Sequence, residues 1–515
     1  MCNRCFLIAV VLFGMGWMPH LCVAQTDAAL QGRIEARVAA LPEGLAAFYQ
    51  ERGFAPLWTE SPEGWQRAEV LLDVLQHAEQ EGLMPEVYGA EALAAQVRAW
   101  SPGNREDPVR QANLELTLSI ALFRYVAHLA QGRVPPATLH TGWAGTQRDD
   151  EVLALVRGVV TSTPMTEALD QLSPPYAGYQ ALRAALAHYR QIQAADGWAT
   201  VHLDGTLRLG DRGATVPRLR RRLAVTEDSV IVPLDDPDLF DETLEGTVRA
   251  FQKRHGLEVD GIVGPQTLAA LNVPVEARIR QIEYSLERWR WLPHLPDAQH
   301  ILVNVAGGRL HVVDEGQEVL TMKVIVGKPS TPTPLFHSEI QGVVLAPYWY
   351  VPASITRHEI LPWLKRDPGY LARHDMRWMP GGQLRQDPGP RNPLGRLKFI
   401  FPNRYSVGLH DTSEPHLFAR SACAFSHGCM RLEKPIELAL YTLRRDTSWT
   451  RARLEATIHQ WKETRIMLPA PIPVYVLYWT AWVDEHGTVQ FRSDIYHHDQ
   501  ALQRALDHVV LSLRQ

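Results

Sequence analysis

The spacing of hydrophobic residues changes along this 515-residue chain, from helical in the first part to strand-like in the last. From about residue 28 to 190, apolar residues recur at three- and four-residue intervals, which is the pattern of amphipathic helices. The clearest stripe consists of Val70, Leu71, Val74, Leu75 and Ala78. A second long helix is predicted to end at Gly132, because glycine commonly terminates helices. We see no catalytic constellation here, and the pattern predicts a helical scaffold.

The segment 204–274 predicts a compact unit of three short helices. The sequence LRLGDRG forms a glycine-rich turn before an amphipathic helix, and a second helix ends in the turn KRHGLEVDG. Gly264-Pro265 marks the start of the last helix, since proline is favoured at the first helical position.

From His300 the apolar residues alternate with a period of two, which predicts a β-meander. The alternation runs through Ile301 and Val303 and is interrupted by glycine turns near 307 and 316. LKFIFPNRYSVGLHD supplies further strand, and a final hairpin turns at His486-Gly487.

An insertion rich in aromatic residues and prolines interrupts these strands at about 346–385. It contains a predicted helix over 355–364, and Tyr348, Trp349 and Tyr350 stand at its start. We interpret it as a lid whose aromatic residues contact substrate, because long insertions in compact domains are often functional. The alternative is a packing excursion without a gating role.

Composition limits the function classes. Hydrophobic residues make up 46% and charged residues 21%, as in a soluble globular protein, and the net charge of −5 gives no reason to expect a nucleic-acid partner. The N-terminal run MCNRCFLIAVVLFGMGWMPHLCVAQ predicts a secretory signal over 1–24, cleaved after Ala24, with an uncleaved anchor as the alternative. Lipid modification of Cys22 is disfavoured because Leu21 is not the small residue that usually precedes such a cysteine.

Cleavage would leave Cys423 and Cys429, which excludes a disulfide-stapled scaffold and a four-cysteine zinc site. Cys429 lies in SHGCMR, two residues after His427. The metal-ligand spacings CxxC and HExxH are absent there, so we expect no metal and no cofactor. A buried, inert thiol is the second possibility. The polar and cationic neighbours, Arg431 among them, instead predict a lowered thiol pKa and a nucleophile.

A nucleophile needs a proton acceptor and donors for an oxyanion. His410, nineteen residues upstream at a predicted strand end, is the candidate acceptor. Gly428 would let the backbone approach a substrate closely. On spacing alone, however, a cysteine–histidine pair is a common coincidence.

HDT at 410–412 followed by SHGCMR at 426–431 resembles the signature of L,D-transpeptidases of the YkuD type. The segment 204–274 is similar to the three-helix peptidoglycan-binding module of cell-wall enzymes. Together with the helical scaffold and the insertion, the chain resembles the larger, periplasmic, YcbB-like subclass, whose members act on peptidoglycan stem peptides. Binding of peptidoglycan strands by the module, or a mere spacer role, stays open.

The resemblance implies a role for each matching residue. Cys429 would be the nucleophile and His410 the proton acceptor and donor. His427 would support the site by hydrogen bonding, Ser426 and Gly428 would shape the loop, and Arg431 would brace it or meet a substrate carboxylate. Gly408 departs from the family, because many relatives carry an aromatic residue there. Cys423 is an additional thiol, interpreted either as packing or as a redox partner of Cys429.

The resemblance also implies the reaction, in which a thioester on Cys429 is formed from a stem tetrapeptide and transferred to an amine as a 3→3 cross-link. The same thioester would serve a carboxypeptidase, an amidase or a lipoprotein-attaching enzyme, and a non-catalytic wall-binding scaffold is the alternative from another class. The expected fold is multidomain α+β. Its expected parts are the signal peptide 1–24, a helical scaffold 25–200, the module 204–274, a mostly-β catalytic domain 280–482 and a C-terminal hairpin and helix 483–515.

Overall fold

The computed structural model describes residues 28–99, 107–143, 149–226, 236–293 and 298–512. The predicted signal segment 1–24 lies outside these ranges. Within them, no helix combines the length and the apolar character that a membrane span requires. The architecture is multidomain α+β, as predicted, with helices first and the main sheet last.

The scaffold is built from helices that bury the predicted apolar stripes. Leu71 and Leu75 are fully buried, and Gly132 ends the longest helix with a positive φ of 84°. The helices are α1 (Ala28–Val38), α2 (Glu43–Glu51), α3 (Pro62–Gln76), α4 (Ala90–Ala99), α5 (Pro108–Gln131), α6 (Pro136–Leu139), α7 (Asp149–Thr161), α8 (Met165–Asp170) and α9 (Ala177–Ala194). Short 3₁₀ turns occupy Ala78–Glu81 and Pro85–Tyr88.

The module contains α10 (Thr215–Ala224), α11 (Glu242–Arg254) and α12 (Pro265–Leu271) around its own apolar core. Gly264 is the N-cap and Pro265 the first residue of α12, as predicted. The next helix, α13 (Val275–Trp289), packs against α9 and against the C-terminal part of the chain. The domain limit predicted at 280 therefore falls inside a helix.

A buried ion network joins the scaffold to α13. Glu287 is fully buried and accepts the backbone N–H of Val134 at 2.9 Å, while its other oxygen lies 3.3 Å from Nη1 of Arg290. Arg290 also donates to the hydroxyl of Tyr179 on α9 at 2.9 Å. Removal of one partner from a buried ion pair strongly destabilises a protein, because the other charge is left uncompensated. The network therefore fixes the position of the scaffold relative to α13.

The main sheet has nine strands among the described residues. The strands are β1 (His300–Asn304), β2 (Arg309–Asp314), β3 (Gln317–Gly327), β4 (Phe336–Leu345), β8 (Leu397–Ile400), β9 (Leu409–His410), β10 (Ala424–Ser426), β11 (Met430–Leu432) and β12 (Thr464–Leu477). Their order in the sheet is β10-β3-β11-β9-β8-β4-β12-β1-β2. Strands β1 to β3 form the predicted antiparallel meander. Strands β9 and β11 pair in parallel, which brings together two segments about twenty residues apart.

The insertion folds as a small unit of its own, here named the lid. Its sheet has the order β5-β7-β6, and the predicted helical stretch is present with a π-turn at Thr356–Ile360 in its middle. Its elements are β5 (Trp349–Tyr350), α14 (Ala353–Ile355), α15 (Leu361–Arg366), α16 (Tyr370–Arg373), β6 (Met376–Trp378) and β7 (Leu384–Gln386).

The C-terminal part of the chain packs against the scaffold. A hairpin with its turn at the predicted glycine, followed by a helix, packs with α9 and α13, and the predicted limit at 483 falls at the end of the first hairpin strand. The remaining elements are α17 (Pro435–Thr442), α18 (Arg451–Ile458), β13 (Ala481–Val483), β14 (Val489–Phe491) and α19 (His498–Ser512).

Candidate active site

The sheet places Cys429 and His410 on neighbouring strands. Cys429 directly precedes β11, and His410 ends β9, which pairs with β11 in parallel register. The backbone N–H of Gly408 lies 3.3 Å from Sγ of Cys429. Gly408 directly precedes β9 and lies two residues before His410, so in extended backbone the two residues share a face. The thiol and the imidazole thus lie on one side of the sheet around Gly408.

The orientation of the imidazole leaves Nε2 available. Nδ1 of His410 lies 2.5 Å from the backbone carbonyl oxygen of Asp411, and since a carbonyl only accepts, Nδ1 carries the proton. Cδ2, the ring atom bonded to Nε2, lies 3.9 Å from the position that a Cβ on Gly408 would take. The accepting nitrogen is therefore on the Gly408 side of the ring, where the thiol lies.

The nucleophile loop, residues 426–429, is held by hydrogen bonds within the loop and to the segment between β3 and β4. Oγ of Ser426 donates to the carbonyl oxygen of Cys429 at 2.5 Å and accepts the N–H of Gly428 at 3.1 Å. Thr333 donates to the carbonyl of Gly428 at 2.9 Å. Gly428 has φ +107°, a conformation in which other residues are strained. The conformation of this loop thus depends on the Ser426 hydroxyl and on the positive φ of Gly428.

One backbone donor beside the thiol remains unused. The N–H of Gly428 is bound by Ser426, and that of Met430 donates to the carbonyl of Gly408 at 2.8 Å. The N–H of Cys429 has no hydrogen-bond partner within the described residues. It is the candidate donor for an oxyanion at this loop.

The prediction that the neighbours of Cys429 lower its thiol pKa is wrong. Burial raises the pKa of Cys429, and this outweighs the opposing influence of the Gly408 N–H, Arg431 and Lys398. Burial lowers the pKa of His410 to about 4. The resting pair is therefore a neutral thiol beside a neutral imidazole, so the proton must transfer as the thiol attacks.

Two cations face the thiol, and the sequence pointed to only one. Arg431 is paired with Glu414 at 2.6 Å, which links it to the loop between β9 and β10. Lys398 lies on β8 opposite His410, and burial lowers its pKa. Lys398 was missed because its position beside the site depends on the pairing of β8 with β9, which no local motif signals.

His427 does not contact Cys429 through a hydrogen bond; it points toward the lid. Its Nε2 lies 2.7 Å from Oε1 of Glu359, in the π-turn of the lid. This contact links the lid to the nucleophile loop. Glu359 was not singled out from the sequence, because nothing local distinguishes it from other exposed acids.

The three aromatic residues at the start of the lid occupy different environments. Arg385 stacks on Tyr348 at 4.0 Å, and the backbone N–H of Tyr348 donates to Glu463. Trp349 packs on the small apolar core of the lid, and Tyr350 is 45% exposed. The structure thus assigns Tyr348 to the base of the lid and leaves Tyr350 accessible; contact with substrate stays a prediction.

Cys423 lies on the far side of β3 from the nucleophile. Strands β10 and β11, which follow Cys423 and Cys429, pair with opposite edges of β3, so two strand spacings, about 10 Å, separate them. A disulfide needs Cα atoms within about 7 Å. Cys423 packs directly on Gly308, and burial raises its pKa to about 11. This geometry favours packing over a redox partnership.

Within the part of the chain that the structure describes, no group of three or more histidine, cysteine, aspartate or glutamate side chains is arranged to hold a metal ion. His410 and His427 have partners of other kinds, as described above.

Three family models match the chain. Residues 43–186 match a scaffold domain, residues 212–271 a peptidoglycan binding domain, and residues 298–501 the L,D-transpeptidase catalytic domain named YkuD. A curated Haemophilus influenzae protein named as an L,D-transpeptidase is 30% identical over 251 residues, which is 45% of this chain and 50% of that protein. The alignment thus spans half the length of that relative.

Solved structures give weaker likenesses. An L,D-transpeptidase from Xylanimonas cellulosilytica is 18% identical, covers 54% of this chain and 99% of its own, and has a TM-score of 0.18. L,D-transpeptidase 1 of Mycobacterium tuberculosis is 16% identical, covers 35% of this chain and 62% of its own, and has a TM-score of 0.19. Such TM-scores do not bear on function. On its family matches, the chain carries an L,D-transpeptidase catalytic domain of the YkuD type together with a peptidoglycan binding domain.

Proposed function

We propose that this protein is a cysteine-dependent L,D-transpeptidase that forms 3→3 cross-links in peptidoglycan outside the cytoplasm. The observation that supports this most is the placement of Cys429 directly before β11 and of His410 on the parallel strand β9, with the Gly408 N–H beside the thiol. The match to the catalytic domain, and to the peptidoglycan binding domain beside it, indicates the substrate class.

In the first half-reaction, Sγ of Cys429 attacks the carbonyl carbon of the third residue of a stem tetrapeptide. Nε2 of His410 accepts the thiol proton as the S–C bond forms, because both groups are neutral at rest. The Cys429 N–H binds the oxyanion, and Lys398 and Arg431 favour the negative charge. Collapse of the tetrahedral intermediate breaks the peptide bond, and His410 returns the proton to the leaving D-Ala amine.

In the second half-reaction, the side-chain amine of the third residue of another stem attacks the thioester. His410 accepts a proton from that amine, the new amide bond forms, and the sulfur leaves and is reprotonated. The lid would limit the access of water to the thioester while the acceptor binds. This division of roles requires no metal and no organic cofactor.

The experiment is incubation of the full chain with purified muropeptides, followed by mass spectrometry of the products. The proposal predicts dimers linked 3→3 and free D-Ala. Release of D-Ala with monomeric tripeptides alone would instead establish a carboxypeptidase, and loss of existing cross-links an amidase. No product, with binding to peptidoglycan retained, would support a wall-binding scaffold. Transfer to a lipoprotein amine would appear only when such an acceptor is added.

Two cysteine variants make the assignment specific. Cys429→Ala is expected to abolish all D-Ala release, whereas Cys423→Ala is the matched control and should retain it. Equal loss in both variants would point to a structural effect of the loop rather than to a nucleophile.

A further inference from the structure

A positively charged groove lies along the seam between the peptidoglycan binding domain and the catalytic sheet. Its volume is about 380 Å³, and one wall is formed by residues 417–423, the segment that leads to β10 and the nucleophile loop. The opposite wall belongs to residues 253–259 at the end of α11. The two walls are joined by a hydrogen bond between Ser421 and Glu258 and by Arg492, whose Nη1 donates to the carbonyl of Arg254.

The charge in this groove is strongly one-sided. The cationic side chains that line it are Lys253, Arg309, Lys323, Arg420 and Arg492. The only acid in the lining is Glu258, in a chain whose net charge is −5. Over the described ranges, none of the five cations forms an ion pair with a carboxylate. The groove therefore concentrates positive charge that the protein itself does not neutralise.

Burial makes part of this charge costly when no ligand is bound. Arg492 is half-buried, and burial together with the nearby charge of Arg309 lowers its pKa to about 10. Two guanidinium groups that repel each other beside a cavity favour an anion between them. The planar donor fork of arginine suits a carboxylate in particular.

A second cleft adjoins the groove. A cleft of about 190 Å³ on the peptidoglycan binding domain, bordered by α11 and the start of α12, shares Leu257 and Glu258 with the groove. A chain held in the cleft would therefore enter the groove directly and reach residues 417–423, the segment that leads to β10.

We propose that this groove binds the carboxylates of peptidoglycan stem peptides and guides a strand from the peptidoglycan binding domain toward the nucleophile loop. The inference rests on the proposed function for the identity of the ligand. It deepens that function by assigning a second substrate contact, remote from the thiol, to residues that no motif identifies.

Binding is measured separately from chemistry. Affinities of the full chain carrying Cys429→Ala are determined for soluble, multi-stem peptidoglycan fragments by calorimetry over a series of salt concentrations. Arg309→Glu and Arg420→Glu should each weaken binding by roughly three- to tenfold at low salt, and the loss should shrink as salt screens the charges. Arg445→Glu is the matched control, since Arg445 is an exposed arginine of the catalytic domain outside the groove, and it should leave the affinity unchanged. Unchanged melting temperatures establish that the variants are folded.

Three outcomes would overturn the proposal. They are unchanged affinity in both groove variants, an equal loss in Arg445→Glu, or fragments with amidated carboxylates that bind as tightly as the acids. Preferential binding of a phosphate polymer would also overturn the assignment of the ligand. Because the assay requires no acyl transfer, failure of the catalytic proposal would leave this result interpretable.

Discussion

The nucleophile loop and the lid are joined by the ion pair between His427 and Glu359, yet they are built in opposite ways. The loop is inserted between strands of the nine-stranded sheet, and Ser426 and Thr333 fix its backbone. The lid has a core of four buried side chains, namely Val351, Ile360, Met376 and Leu384. It also leaves large aromatic surface in solvent, with Trp363 53% and Trp378 44% exposed.

This difference corresponds to two requirements of the proposed reaction. The attacking groups need fixed geometry, and the large sheet core supplies it. Admission of two bulky stems needs an element that opens, and a segment with few buried apolar contacts opens at low free-energy cost. We therefore expect changes in the nucleophile loop and its neighbours to affect the chemistry, and changes in the lid to affect the access of substrate.

The largest effect is expected on the rigid side. His410→Gln keeps the volume of the side chain but removes the base, so acyl transfer should fall by roughly 10²- to 10⁴-fold while the fold persists. His416→Gln, in the exposed turn after β9, is the control and should retain activity. Comparable rates of D-Ala release in His410→Gln and the wild type would remove His410 from the mechanism.

The second effect concerns the core of the lid. Ile360 is 3% exposed, and Ile360→Ala should weaken the packing of the lid by about 2–3 kcal/mol, since its core is too small to compensate. Hydrogen exchange over residues 353–366 should then accelerate by roughly 30-fold or more, with the sheet unaffected. Leu361→Ala, at a 37% exposed neighbouring position, is the matched control. Unchanged hydrogen exchange in Ile360→Ala would mean that contacts outside its apolar core stabilise the lid.

The third effect concerns the contact between the two regions. Glu359→Gln removes the charge next to His427, and both side chains are more than a third exposed, so solvent weakens the interaction. We expect a change of roughly two- to fivefold in KM for muropeptides, with kcat nearly unchanged. A double-mutant cycle with His427→Gln gives the coupling. A large fall in kcat would instead place Glu359 in the chemistry.

These expectations show what the sequence could and could not reveal. The alternation through Ile301 and Val303 and the glycine end of α5 are local signals, and the structure confirms them. HDT and SHGCMR pointed to His410 and Cys429 as the candidate pair, and the structure brings these two residues to neighbouring segments of the sheet. The direction of the thiol pKa was predicted wrongly, because burial at Cys429 depends on long-range packing and outweighs the adjacent polar residues.

The dependence on long-range packing also explains why other features near the site were not predicted from the sequence. Lys398 and Glu359 reach the site through strand pairing and through the folding of the lid, which are contacts between residues far apart in the chain. The lid's own sheet was not predicted either, since its strands are only two or three residues long. The separation of Cys423 from Cys429 likewise depends on which edges of β3 their strands occupy.

The smallest expected effect is on the acid side of the pH profile. The folded pKa of His410 is about 4, below its ordinary value of 6.5, so the imidazole stays an acceptor from neutral pH down to about 4. The rate of enzyme acylation should therefore change less than about twofold between pH 7 and 5. Between pH 6.5 and 4, His410 binds a proton in the unfolded chain but not in the folded chain. The contribution of His410 to the free energy of unfolding therefore decreases as the pH falls. A loss of acylation centred at 6.5 would contradict the buried, neutral imidazole.

Intact-mass spectrometry after exposure to a carbapenem shows whether Cys429 is the nucleophile of this fold. The acyl adduct forms on the enzyme alone and requires neither an acceptor stem nor the groove. We predict one adduct on the wild type, one on Cys423→Ala and none on Cys429→Ala. An adduct of the same mass on folded Cys429→Ala would contradict the account.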